Sequence, residues 1–313
     1  MSPPAAGKAP TRRERFRGAL LGHAVGDALG APADFLSPDQ VAERWGVLTE
    51  MVGGGCHDVA PGEGTDATDM MLCLAESLSD NGGFDPAEVM QRYLAWFQTR
   101  PRDVSLTVRT VMLGVKAGTS LEGAARRAHE ILGKPVAGNA SLQRCVPVAL
   151  RYAADAATRR DVSLRESELT HFDQLAGWSC VGYNDLVAAA LDGALRRRLL
   201  PVAASVEEED SRVSTTLREA AVAEPEEVHC TAFVLDTLRL AAWATLHAHS
   251  FEEAVITAVN RGNDADTAGA VTGALAGALF GERAVPARWL ATLHVSERVT
   301  AVADRLADLA GVA

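Results

Sequence analysis

A chain of 313 residues, 48% hydrophobic and 23% charged, has ordinary folded-protein composition and enough apolar side chains for a sizeable core. Its formal net charge of −11 excludes the broad basic surface of a nucleic-acid-binding protein and leaves room only for a local basic pocket. Five cysteines, at 56, 73, 145, 180 and 230, form no C-x-x-C pair, which reads as free buried thiols in a reducing cytoplasm. No signal peptide is visible, and the longest apolar run, Ala268 to Phe280, falls short of the about 20 residues that cross a bilayer. The reading is a cytoplasmic protein with no membrane partner.

The first ten residues, Met1 to Pro10, are small and Pro-rich and are expected to be disordered. Apolar spacing predicts a helix over Glu14–Leu29. Asp66–Leu78 reads as the next, with Thr65 and Asp66 at its start. Pro86–Phe97 follows, capped by Asp85. Further helices are predicted over Leu121–Leu132, Leu142–Thr158, Trp178–Arg197, Thr231–His247, Phe251–Asn260, Ala268–Phe280 and Ser296–Leu309. Arg196-Arg197-Arg198 reads as a solvated helix C-terminus. The acidic stretch Ala204–Glu227 reads as an exposed connection. No run alternates as a strand would. Residues 11–313 thus read as one all-α domain, a single compact multi-helix bundle.

Two glycine ladders recur every four residues: Gly18, Gly22, Gly26, Gly30 and Gly269, Gly273, Gly277, Gly281. Each makes a smooth strip on one helix face. Mid-helix Gly costs roughly 1 kcal/mol relative to Ala, so close helix–helix approach is the natural compensation.

Asn263-Asp264-Ala265-Asp266-Thr267 runs into the second ladder and sets two carboxylates and a hydroxyl at the mouth of an apolar helix. Buried carboxylates need protons, donors or a cation, and oxygen-only donors suit a hard divalent ion. Alone, this cluster reads equally as a helix cap. Gly62-Glu63-Gly64-Thr65-Asp66-Ala67-Thr68-Asp69-Met70 repeats the pattern about 200 residues earlier, so the two can face one cation site. A third segment, Gly22-His23-Ala24-Val25-Gly26-Asp27-Ala28-Leu29-Gly30-Ala31-Pro32-Ala33-Asp34-Phe35, carries further acids.

Together these segments resemble the ADP-ribosylglycohydrolase family, which includes the dinitrogenase-reductase-activating glycohydrolases. The third segment resembles the family's G-x-x-x-G-D-A-x-G-x-P-x-E-F. The other two resemble its T-D-D-T and its late D-A-D-T-x-G-A. Pro101-Arg102-Asp103-Val104-Ser105-Leu106-Thr107 is similar to P-x-D-I-G-x-T, Gly138-Asn139-Ala140-Ser141-Leu142-Gln143-Arg144 to G-N-G-x-x-M-R, and Thr170-His171-Phe172-Asp173 to T-H-x-D. The matches run in family order from about Arg15 to Trp289.

The resemblance implies an all-α bundle with a dinuclear Mg²⁺ or Mn²⁺ centre in a central cleft. It implies hydrolysis of the glycosidic bond between ADP-ribose and an acceptor, protein arginine first and serine second. Thr65, Asp66, Asp264, Asp266 and Thr267 become the metal ligands. Asp34, on a mobile loop, and Asp66 become the catalytic acids. Asp103, Ser105, Gly138, Asn139, Ala140 and His171 become substrate-binding. The chemistry is coherent: cleavage builds oxocarbenium character, a metal pair polarises water, a carboxylate moves a proton, and backbone N–H groups hold diphosphate without a basic surface.

The departures matter. Ala67 stands at the second Asp of T-D-D-T, so one carboxylate ligand is missing and the chain is expected to be impaired, with one cation weakened. Because the flanking motif is intact, Ala67 reads as an inactivating replacement. Asp34 replaces the usual Glu, Ser105 a Gly, and Asp69 a Gln or Ser, facing solvent or backing the site's ligands. The alternatives are an ADP-ribose-binding protein without catalysis, or a hydrolase acting on ADP-ribosylated nucleic acid or small molecules. His23, His229, His247 and His249 read as packed or surface histidines, and Cys56 and His57 are left outside the site. Trp96, Trp178, Trp243 and Phe172 are assigned to the core, the last in preference to stacking on adenine.

Overall fold

The computed structural model describes residues 9–133 and 137–313. Residues 1–8, most of the segment expected to be disordered, lie outside the described residues. Sixteen α-helices form among the described residues. The first eight are α1 (Arg12–Gly30), α2 (Pro38–Trp45), α3 (Asp66–Asp80), α4 (Pro86–Gln98), α5 (Leu106–Lys116), α6 (Leu121–Ile131), α7 (Val146–Arg151) and α8 (Ala156–Glu168). Then come α9 (Gln174–Leu191), α10 (Leu195–Ser205), α11 (Ser211–Glu219), α12 (Val234–His247), α13 (Phe251–Val259), α14 (Ala265–Phe280), α15 (Ala287–Thr292) and α16 (Ser296–Leu309). No β-strand forms among the described residues; the backbone pairs across only two isolated bridges, Gly54 with Val59 and Gly138 with Phe233.

The glycine ladders pack on each other. Gly18, Gly22 and Gly26 of α1 meet Gly277, Gly273 and Gly269 of α14, and Gly30 meets Ala265, so the helices run antiparallel. A Cβ at Gly22 would lie 2.9 Å from the Gly273 carbonyl carbon, which no side chain tolerates. α1 is buried continuously from Gly18 to Gly30 and α14 from Ala265 to Ala278. α9 closes the centre, with the Tyr183 hydroxyl donating to the Val271 carbonyl at 2.8 Å. This register brings the C-terminal end of α1 to the N-terminal end of α14. The following turn is fastened there: Phe35 N–H donates to the Asn263 carbonyl and Asn263 N–H to the Leu36 carbonyl, each at 2.6 Å. The loop carrying Asp34, expected to be mobile, is thus tethered to the start of α14.

Several element boundaries differ from the sequence expectation. The helix predicted over Leu142–Thr158 is a 3-10 turn (Leu142–Arg144), then α7 with Pro147 in its first turn, then α8, which Asp155 starts by accepting from Thr158 N–H at 3.0 Å. The helix predicted over Trp178–Arg197 ends at Leu191, because Gly193 turns the chain at φ 65°. Arg196, Arg197 and Arg198 therefore lie in the first turn of α10 and not at a helix C-terminus. The stretch read as an exposed connection contains α11, which buries Val213 and Leu217. α2 and α5 were not anticipated; Ser37 and Ser105 cap them.

Candidate active site

Asp27, on the buried face of α1, fixes the start of α3. Its carboxylate accepts from Thr65 N–H at 2.9 Å, Thr65 Oγ1 at 2.7 Å, Thr68 N–H at 3.0 Å and Thr68 Oγ1. Burial pushes this carboxyl up to about 6 although all four donors favour its charge. A Cβ at Gly64 would lie 2.6 Å from Asp27 Oδ2, so only glycine admits this approach. The Thr65 hydroxyl, expected as a metal ligand, is committed as a donor to Asp27 and accepts from Ala67 N–H at 3.4 Å.

Gln143 joins the two hydroxyl–carboxylate clusters. Its Nε2 donates to Asp66 Oδ1 at 2.7 Å, and its Oε1 accepts from Thr267 Oγ1 at 3.0 Å. Its carbonyl lies 2.5 Å from His23 Nε2, whose ring burial lowers to about 4 and keeps neutral, so that N–H is the donor. Residues about 200 positions apart in sequence thus share one site.

Around this bridge the acids crowd. Carboxylate oxygens of Asp34, Asp264 and Asp266 lie within 4.8 Å of one another, and so do ligand atoms of His57, Asp103 and Asp266. Asp34 is 4% exposed; its Oδ2 accepts from His57 Nε2 at 2.8 Å, while its Oδ1 has no hydrogen-bond partner among the described residues. Burial, with Asn139 opposing it, pushes Asp264 up to about 6. Burial and the neighbouring Asp34 and Asp264 hold Asp266 well above the carboxylate range. Burial and Asp103 do the same to Asp66, which also accepts from Ser105 N–H. Groups raised first by burial and then by their neighbours' charge in an oxygen-rich site are ones a divalent cation would restore to charge. The orphaned Asp34 oxygen and the carboxylate donor set both fit Mg²⁺ or Mn²⁺.

The sequence-derived residues fall into two groups. Asp34, Thr65, Asp66, Asp103, Asp264, Asp266 and Thr267 surround the cation-competent cluster. Ser105 reaches it through its backbone, since its hydroxyl accepts from Val108 N–H at 3.3 Å as the α5 cap. Ala67 is wholly buried in the first turn of α3. Asp69 is exposed, as expected, and accepts from Trp96 Nε1 at 2.9 Å. A cleft of about 150 Å³ opens in front of Asp66, lined also by His57, Glu63, Thr99, Arg102 and Asp103.

The second group is Gly138, Asn139, Ala140 and His171. Asn139 Nδ2 donates to Asp264 Oδ2 and, at 2.8 Å, to Thr237 Oγ1, linking this group to the acids. The Ala140 carbonyl accepts from Arg144, a fully buried cation paired with Glu166 at 2.6 Å. Arg144 Nη2 donates to Thr170 Oγ1 at 2.8 Å, which leaves the Thr170 hydrogen for His171 Nδ1, also at 2.8 Å. Burial lowers His171 to about 3. The ring is therefore neutral with its proton on Nε2, beside Gly138, in a hollow also lined by Thr107 and Phe172. Phe172, assigned to the core from sequence, is 37% exposed, with Arg126 4.5 Å over its ring.

Sequence reasoning passed over the roles of Asp27, Gln143 and Arg144 within its own motifs, and it left out Cys56 and His57. Cys56 is exposed rather than buried, and its thiol lies 3.6 Å from Asp34 Oδ2. The visible signal for these two was the preceding Gly53-Gly54-Gly55, which marks a tightly turned loop.

Comparison with known proteins gives the family. A family model described as ADP-ribosylglycohydrolase matches residues 8–313. The dinitrogen reductase ADP-ribosyl glycohydrolase of Rhodospirillum rubrum is 31% identical, over 97% of this chain and 99% of its own. The ADP-ribosylarginine hydrolase Tri1 of Pseudomonas putida (strain GB-1) is 32% identical, over 95% of this chain and 79% of its own. A solved ADP-ribosylglycohydrolase-related protein complex superposes with a TM-score of 0.82 at 36% identity, covering 95% of this chain and 98% of that one. With its central helix pair, its converging acids and a match over nearly its whole length, the chain belongs to the ADP-ribosylglycohydrolase family.

Proposed function

We propose that this chain is a metal-dependent hydrolase of the glycosidic bond between ADP-ribose and an acceptor, with protein arginine the first acceptor and serine the second, and that Ala67 slows it. The observation that carries this reading is the Gln143 bridge, which joins Asp66 to Thr267 in one acid-lined cleft. Relatives named for dinitrogen reductase and for ADP-ribosylarginine support a modified protein as substrate. Two divalent ions, Mg²⁺ or Mn²⁺, would be held by Asp66, Asp264, Asp266 and Thr267, with Thr65 adjacent. When bound, they supply positive charge that anchors ribose hydroxyls and polarises the attacking water. Asp34 Oδ1, without a hydrogen-bond partner among the described residues, takes the proton from that water. Asp66, held by Gln143, would stay ionised as a ligand of the ions, and Asp34 would return the proton to the leaving group. Asp103, Ser105, Gly138, Asn139, Ala140 and His171 bind the ADP-ribose, the neutral His171 offering its Nε2–H. The net charge of −11 disfavours a nucleic-acid acceptor. Among the described residues no helix is long and apolar enough to cross a membrane. Unpaired thiols support a cytoplasmic setting.

The test is release of ADP-ribose from arginine- and serine-linked conjugates with Mg²⁺ or Mn²⁺, on this chain and on Ala67→Asp. Restoring a carboxylate is expected to raise the rate by ~10²–10³, the range for one electrostatic group, with little change in ADP-ribose affinity. Equal rates for the two chains would remove the assignment of position 67. Binding without cleavage by either chain would favour a pure ADP-ribose-binding protein.

A further inference from the structure

Resting on the metal-dependent reading above, the loop between Met51 and Pro61 adds something that reading does not use. Gly53, Gly54 and Gly55 all have positive φ, and Gly54 and Val59 exchange backbone hydrogen bonds at 2.7 and 3.2 Å. The tight turn between them drives His57 inward, leaving its side chain 9% exposed. Its Nε2 lies 2.8 Å from Asp34 Oδ2 and 3.9 Å from Asp103 Oδ2. Two sets of ligand atoms, each within 4.8 Å mutually, share Asp266: an all-oxygen set with Asp34 and Asp264, and a nitrogen-containing set with His57 and Asp103. Bonds of about 2.1–2.2 Å put adjacent ligands on one octahedral ion about 3 Å apart and opposite ones about 4.3 Å apart, so both sets have the spacing for one ion each. The buried, unpartnered Asp34 Oδ1 independently marks the cluster as wanting a cation.

We propose that His57 Nε2 is a ligand of the second cation, and that the chain therefore prefers Mn²⁺ and similar transition ions to Mg²⁺. Imidazole binds first-row transition ions and is a poor ligand for Mg²⁺, which takes oxygen. Coordination uses the Nε2 lone pair, so in the loaded protein the ring hydrogen lies on Nδ1. Asp34 Oδ2, which accepts the Nε2 hydrogen bond in the cation-free protein, becomes an adjacent ligand. One site of the pair stays all-oxygen and the other is mixed.

The full chain, stripped of metal, is titrated with Mn²⁺ and with Mg²⁺ by calorimetry. The Mn²⁺-loaded protein is also examined by pulsed electron paramagnetic resonance for ¹⁴N coupling. An imidazole nitrogen coupling is expected, and His57→Gln should abolish it. Losing a supporting partner costs a metal site about 10–100-fold in affinity, so His57→Gln should lose at least that for Mn²⁺ and much less for Mg²⁺. His57→Asp, which restores an oxygen donor, should narrow the preference between the ions. No nitrogen coupling in the unsubstituted chain, or coupling that survives in His57→Gln, overturns the proposal whether or not the variants fold well. Nitrogen-bound Mn²⁺ without hydrolysis would instead sink the proposed activity alone. Hydrolysis without nitrogen coupling would sink only this inference.

Discussion

Asp264 shows what a cation-free site demands of single residues. Its folded carboxyl stands at about 6, against an ordinary 3.8. Below the ordinary value it is protonated whether folded or unfolded and has no effect on stability. Between 3.8 and about 6 the unfolded chain ionises it while the folded chain keeps it protonated, so stability falls by on the order of 2–3 kcal/mol across that window and stays at that level above it. Asp264→Asn should therefore melt higher than the parent in chelator at pH 7.5, with the difference fading toward pH 4. In excess Mn²⁺ the order should reverse, because the variant has lost a ligand. Thermal melts at the two pH values settle it; a variant less stable than the parent in chelator at pH 7.5 would show that these carboxylates do not repel as described. At this scale the hydroxyl–carboxylate pairs were legible because they sit at helix starts in short, unusual strings. The placements of His57 and Gln143 were not, because each depends on a loop that contacts residues far along the chain.

The paired glycine helices turn an ordinary propensity rule around. Replacing a mid-helix Gly by Ala normally stabilises by about 1 kcal/mol. At Gly26 the added Cβ would lie 3.0 Å from Ala270 N and closer still to the Gly269 carbonyl, all backbone that cannot yield. Gly26→Ala, and more so Gly26→Leu or Gly273→Leu, should destabilise by about 1–3 kcal/mol or more. Gly114 in α5 is the control: its Cβ would meet the Thr119 side chain at an ordinary 3.5 and 3.9 Å, so Gly114→Ala should stabilise. Denaturant melts of both variants decide the matter, and a stabilised Gly26→Ala would remove the close-packing explanation. The ladders were readable because a four-residue period survives in any register; that they pack on each other, and antiparallel, is tertiary information. α2 was missed although Ser37-Pro38-Asp39-Gln40 is a capping box with Pro in the first turn, because its eight residues bury only Val41. α11 was missed because the acidic run before it masked an amphipathic helix that Asp210 caps.

At the scale of the molecule, both ends of the chain are needed for the same centre. α1 lies along α14, and Arg13 and Arg17 reach Asp304 of α16 at 3.4 and 2.8 Å. Each half-buried pair contributes little alone, but together with the buried helix pair they fasten the start of the described chain to its last helix. We propose that residues 11–313 unfold as one domain. Acids contributed by the turn after α1, the start of α3 and the start of α14 crowd one place, so an ion bound there is bound only when all three are assembled. Such an ion stabilises the folded chain by mass action, about 2.7 kcal/mol at 100 times its dissociation constant. For a chain of this size that is a rise of about 5 °C in melting temperature. Calorimetric scans with increasing Mn²⁺ should therefore show one transition moving upward as a whole, with backbone amides of α1 and α14 gaining hydrogen-exchange protection together. Two transitions, or one of two moving alone, would show separate domains; a single transition indifferent to the ion would show that the acids do not meet around a cation in solution.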